Sequence, residues 1–201
     1  MTTENQPTEA NSNLEPVPSK ESTIVLGHYD KRIARQKSRV QIEFFYAISG
    51  ILVKGFHVPG RRLGLVQYVN FALKHNTNIV IGESPNFAIN FKNVLISKGE
   101  MAKPNNATVK QVSKFEIELK WDKKLARNAK PTDRMCWLHY NATHNYSYII
   151  TSEELRCSGK ENAINLPIVY QEDIHYWMFF VSEDGRMRSD SVYIGRLGEF
   201  S

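Results

Sequence analysis

Apolar and polar positions follow two different periods along this chain, and the change from one to the other divides it. Between Asp30 and Phe56 the apolar residues Ile33, Val40, Phe44, Ile48, Ile51 and Leu52 recur at spacings of three, four and seven, which is the stripe of an amphipathic helix. Asp30 is placed to cap its start, since a carboxylate there accepts from the free N–H groups of the first turn, and Gly55 and Pro59 mark its end. After the Pro59-Gly60 break, Arg62 to His75 sets Leu65, Val66, Val69, Ala72 and Leu73 on one stripe, predicting a shorter second helix. Neither helix buries an apolar face alone, so the two are expected to form a hairpin that packs on itself or on the remainder of the chain.

From about Asn86 the period falls from 3.6 to 2. Phe115, Ile117, Leu119 and Trp121 alternate with Glu116, Glu118 and Lys120, the pattern of a half-buried antiparallel strand. Further strands are expected over Phe87 to Ser97, Met135 to Asn141, Tyr146 to Thr151, Ala163 to Pro167, Ile174 to Val181 and Ser189 to Gly195. Turn chemistry separates them, including Lys103-Pro104-Asn105, Ser158-Gly159 and Glu183-Asp184-Gly185. The Asp184-Gly185 dipeptide supplies a residue that tolerates positive φ, so the last two strands are expected to pair as a hairpin. About seven strands in this stretch fit a two-sheet sandwich, with Trp121, Trp137, Tyr176, Met178 and Phe180 filling the space between the sheets. The predicted fold class is therefore α+β: an N-terminal helical hairpin followed by an antiparallel immunoglobulin or fibronectin III-like β-sandwich. The expected domains are a disordered acidic tail over 1–22, a basic helical hairpin over 23–82 and the sandwich over 83–201.

Charge sharpens this division. Residues 1–22 carry Glu4, Glu9, Glu15 and Glu21 against Lys20, with three prolines and no aromatic residue, too few apolar groups to offset the cost of fixing a backbone. Residues 31–62 hold eight cationic side chains against Glu43 alone, a net of +7 in a chain whose total is +5. Lys31, Arg32, Arg35, Lys37 and Arg39, joined by Arg61 and Arg62 from the hairpin partner, are thus the candidate binding residues for phosphates or an acidic protein surface. The bland alternative is that they form the solvated face of a helix, partly neutralised by the acidic tail.

Catalytic chemistry has no local anchor. There is no Gly-rich phosphate loop, GxSxG elbow, HExxH or EF-hand loop, so no enzyme and no cofactor is expected. The two cysteines satisfy no zinc motif or disulfide scaffold; Cys136 is expected to be a small core hydrophobe and Cys157 to lie in a loop. The histidines, including His139, His144 and His175, read as ordinary surface or partly buried imidazoles. No secretory signal and no membrane-length apolar run is found, so the expected location is cytoplasmic, and the three Asn-x-Ser/Thr triplets are taken as chance.

Four separated blocks carry a resemblance: RVQIEFFYAISGILVKGF from Arg39 to Phe56, VLISKG from Val94 to Gly99, FFVSEDG from Phe179 to Gly185 and SDSVYIG from Ser189 to Gly195. In this order they resemble an uncharacterised family of short Bacteroidota proteins known only as a domain of unknown function, over roughly residues 35–196. Members of that family usually begin with a Gly-rich hairpin and a Pro- and Thr-rich linker, where this chain has its acidic tail and the basic Asp30 to Arg39 stretch. Trp121 closing one strand and an aromatic-rich strand starting near Tyr176 are also similar to fibronectin type III sandwiches. These resemblances imply a fold and no chemistry. The expected role is a non-catalytic structural or protein-interaction module that associates with itself or with a protein partner. The alternative is a polyanion, or nucleic-acid, binding protein acting through the 31–62 segment. No membrane association and no small-molecule substrate is indicated.

Overall fold

The computed structural model describes residues 20–58, 60–61, 63–113, 116–126, 128–164 and 173–197. The chain divides into two units, Met1–Arg35 and Gln36–Ser201. In the first, the described residues belong to helix α1 (Lys20–Ala47), which continues into the second. The expected cap at Asp30 is corrected: α1 starts ten residues earlier and Asp30 is an interior helical residue. Nothing between Lys20 and Tyr29 breaks a helix, since the stretch has no proline and its single glycine, Gly27, costs only about 1 kcal/mol. The expected tail lies, up to residue 19, outside the described residues.

Within the second unit, α1 ends at Ala47 and the chain turns at Ile48 before α2 (Ser49–Gly55), so the one long helix expected here is two. The stripe itself is as read: Phe44, Ile48, Ile51 and Leu52 are buried. Helix α3 (Leu65–His75) buries Tyr68, Val69 and Ala72 but leaves Leu65 and Val66, in its first turn, exposed. A small hairpin of β1 (Val80–Glu83) and β2 (Asn86–Ile89) comes next, registered Val80 to Ile89 and Glu83 to Asn86. The predicted strand over Phe87 to Ser97 is therefore only half right: β2 gives way to a 3-10 turn at Phe91–Asn93.

Among the described residues, seven further strands then form two antiparallel sheets. β3 (Thr108–Ser113), β4 (Glu116–Lys120) and β7 (Lys160–Ile164) make one, in the order β3-β4-β7. β6 (Tyr146–Leu155), β5 (Arg134–Asn141), β8 (Ile174–Val181) and β9 (Val192–Leu197) make the other, in the order β6-β5-β8-β9. First, second and fifth strands on one side and fourth, third, sixth and seventh on the other is a fibronectin type III-like order. The opening strand is β3, which no pattern announced; only Val109 and Val112 are apolar in it, and it sits at an edge. Phe115 lies outside the described residues, but Ile117 and Leu119 point inward from β4 as expected.

The central strands β5 and β8 of the four-stranded sheet are buried on both faces, and this sets the layering. On one face Met135, Trp137, Tyr176, Met178 and Phe180 meet Ile117, Leu119 and Trp121 of the other sheet, so every residue expected between the sheets is there. On the opposite face Cys136, Leu138, Tyr140, Trp177 and Phe179 meet Phe44, Phe45, Ile48 and Leu52 of the helices. A strand covered on both sides needs apolar residues at every position; β8 reads IHYWMFFV and buries all but Val181.

The four blocks that carry the family resemblance converge in space. Ser97 Oγ donates to Ser189 O at 2.7 Å and lies 3.2 Å from Gly55 O, Ser191 Oγ accepts from Ile96 N at 2.9 Å, Ser189 Oγ accepts from Phe180 N at 2.9 Å, and Lys98 pairs with Asp190 at 2.7 Å. Glycine is required at both ends of this strap: a Cβ on Gly55 would stand 1.9 Å from Ile96 O, and one on Gly99 2.1 Å from Arg188 O.

Candidate functional site

The basic residues of the 31–62 segment are placed along α1 and the α2–α3 connection. Lys31, Arg32 and Arg35 are exposed in the first unit; Lys37, Arg39 and Arg61 are exposed in the second, and Arg62 lies outside the described residues. Several are already engaged. Arg39 donates to Glu43 at 2.7 Å one turn along the helix, Arg32 lies over the Tyr29 ring at 5.4 Å, and Lys37 lies over Phe87 at 5.5 Å. Exposed cations of this kind are solvated and held loosely.

A more built site, which the sequence did not single out, lies between α2 and the turn joining β8 to β9. Val53, Cys136 and Val181 form an apolar wall around an open cavity of about 440 Å³, and Lys54, His57, Arg134 and Arg188 also line it. The turn is held by its own polar groups. Ser182 Oγ donates to Asp184 Oδ1 at 2.6 Å, Gly185 N donates to Ser182 O, and Gly185 takes φ 69°, which is the conformation expected from the Asp184-Gly185 pair. Hydrogen bonds to Ser182 and the Arg186 N–H hold the Asp184 carboxyl below its usual range.

Arg188 is the unusual member, with 6% of its surface exposed. Its Nη1 donates to His57 O, its Nη2 donates to Gly185 O at 2.8 Å, and its Nε is buried with no partner. Among the described residues no carboxylate pairs with it. Burial pushes its pKa down, with only the Tyr68 hydroxyl and Cys136 thiol acting in the other direction. The one sequence signal that could have drawn attention to Arg188 is its position directly before the SDSVYIG block.

The histidines group differently. His139 is buried against Tyr176, ring centroids 5.2 Å apart, and burial pushes its pKa down to about 4. His175 is packed on Phe91 at 3.9 Å, with Nδ1 at 2.9 Å from Tyr193 Oη and Nε2 at 3.0 Å from Asp173, though not aligned for a hydrogen bond. Burial outweighs Asp173 and holds His175 at about 4 as well. Cys136 is buried, as expected of a small core hydrophobe, and Cys157 is exposed in a 3-10 turn over Arg156–Ser158. Among the described residues no three His, Cys, Asp or Glu side chains gather as a metal site, and no helix is long and apolar enough to cross a membrane.

Fold and site together define an α+β protein in which a helical layer covers one face of a fibronectin III-like sandwich. More particularly, the chain belongs to a family of unknown function, DUF6266, whose profile matches residues 27–195. Among solved structures, the fibronectin type III domain of human collagen α-1(XX) matches with 12% identity and a TM-score of 0.38, over 50% of this chain and 89% of that one. The same domain type of human contactin 1 matches with 14% identity and a TM-score of 0.33, over 52% and 84%. A computationally redesigned β-sandwich protein matches with 12% identity and a TM-score of 0.35, over 51% and 95%. A comparison with curated proteins found no match. The strand order, rather than these likenesses, defines the sandwich.

Proposed function

We propose that this protein is a non-catalytic structural or protein-interaction module of the cytoplasm that associates through the free edge of β6, with a second copy of itself as the occupant. The observation that carries this is the uncharged, regular stretch Tyr146 to Thr151 along that edge. A strand at the margin of a sheet offers a row of unpaired N–H and C=O groups, and natural sheets blunt such margins with charged residues, proline or bulges. β3 carries Lys110, β7 carries Lys160 and β9 carries Arg196. β6 spans ten residues; Glu153, Glu154 and a register shift lie in its last four, while Tyr146 to Thr151 is regular, carries no charge or Pro, pairs among the described residues with β5 alone, and exposes Tyr146 and Tyr148. Two such edges related by a two-fold axis complement one another, residue for residue.

Light scattering on the eluting protein tests this. The wild type is expected to run as a defined oligomer with little sensitivity to salt, and Tyr146→Lys with Tyr148→Lys to run as a monomer. A wild type that stays monomeric as its concentration rises would remove the reading's support.

The exposed row Lys31, Arg32, Arg35, Lys37 and Arg39 favours a second reading, binding of a polyanion such as nucleic acid. It predicts retention on heparin that salt releases steeply and that charge reversal at Arg32, Arg35 and Arg39 abolishes. Retention unchanged by that reversal would rule it out.

A further inference from the structure

We propose that the cavity between α2 and the β8–β9 turn binds an amphipathic monocarboxylate, whose charged end pairs with Arg188 and whose short apolar part lies on Val53, Cys136 and Val181. A guanidinium has five N–H donors and no acceptor. In Arg188 the two carbonyls of His57 and Gly185 take one donor from each terminal nitrogen. They supply dipoles and no counter-charge, and the Nε donor has no partner. A buried charge in that condition is costly until an anion reaches it.

The cavity sets the chemical class. Its basic lining groups Lys54, Arg134 and Arg188 face two acidic ones, Glu183 and Asp184, a formal balance of +1. That balance suits a monoanion, whereas a dianionic phosphate would meet the two carboxylates at the turn. The aliphatic and thiol wall gives the remainder of the ligand an apolar surface, and about 440 Å³ accommodates a short chain or one side chain. Two sources present this chemistry: a free short-chain carboxylic acid, and the C-terminal residue of a polypeptide with an apolar side chain.

The test is a titration of the full chain followed by the backbone amide resonances of Gly185 and Arg188, with hexanoate, N-acetyl-leucine, N-acetyl-leucinamide and inorganic phosphate as probes. At least one of the two carboxylates is expected to shift these resonances saturably, and the amide, which lacks the charge, is expected to leave them unchanged. The tighter carboxylate identifies the source, hexanoate the free acid and N-acetyl-leucine the chain terminus. Affinity is expected to fall at least about tenfold in Arg188→Met. Val53→Trp, at an exposed rim position, keeps the arginine and fills the cavity, and is expected to show the same loss even if Arg188→Met fails to fold. No saturable shift with either carboxylate, equal binding of the amide or of phosphate, or unchanged affinity in Val53→Trp would each overturn the proposal.

Discussion

Two buried arginines stand on opposite faces of one end of the four-stranded sheet, and they are held in opposite ways. On the sandwich face, Arg156 is 2% exposed. Its Nε donates to Asp133 at 3.0 Å, its Nη2 to Ala102 O at 2.8 Å, and its guanidinium lies 3.7 Å over the Phe180 ring. Asp133 is itself 1% exposed and also accepts from Lys130 N. On the helix face, Arg188 has comparable burial, two carbonyls and no acid. The first arginine is a finished structural element whose charge is cancelled inside the fold. The second leaves part of its hydrogen-bonding capacity and all of its charge for something the fold does not contain. Burial alone therefore does not distinguish a structural cation from a receptive one; the counter-charge does.

The largest expected effect breaks the finished side. Asp133→Asn leaves the Arg156 cation buried without its partner and should cost about 3–5 kcal/mol in urea unfolding, because an uncompensated interior charge is the expensive case. Next in size is the acid limb of the stability curve. His139 and His175 both titrate near 4 in the fold against about 6.5 unfolded. Between those values the unfolded chain takes up protons that the folded chain refuses. The contribution of these two histidines is therefore constant above pH 6.5, falls as pH drops towards 4, and levels off below it. For His139, buried without a charged partner, the loss is about 3 kcal/mol, and His139→Gln should remove about half of the slope measured by thermal unfolding across this range. The smallest effect sharpens the receptive side: Arg188→Met replaces the unmatched cation with an apolar chain of similar length and should cost less than about 2 kcal/mol. A loss as large as that of Asp133→Asn would mean that the two arginines are equivalent after all.

The sandwich was legible where a strand has a distinctive demand on its residues. β4 alternates because one face is wet, and the last hairpin announces itself through Asp184-Gly185, whose glycine does take positive φ. β5 and β8 were placed by their aromatic content, yet the apolar residues at successive positions, Met135 to Leu138 and Tyr176 to Val181, also implied a second covered face, which is where the helices sit. β1 and β3 escaped notice because a strand of four residues is too short to show a period and one of six with only Val109 and Val112 apolar shows almost none. The helix break at Ile48 was hidden because the apolar stripe continues through it. The exposed cations on α1 were visible as composition, since solvation needs no tertiary context. Arg188 was not, because its significance comes from what is missing around it. Its surroundings are assembled from Val53, Cys136 and Val181, positions far apart in the chain.

The doubly covered sheet sets a limit on how this protein can be cut. A fragment beginning after the helices would retain every sandwich strand, yet it would present Leu138, Tyr140, Trp177 and Phe179 to water as a continuous greasy panel. Such a fragment should stick to its neighbours or to chaperones instead of behaving as a free-standing module. The seam visible in the residue pattern near Asn86 is thus no place to divide the molecule, and the helical layer serves as the sheet's permanent lid.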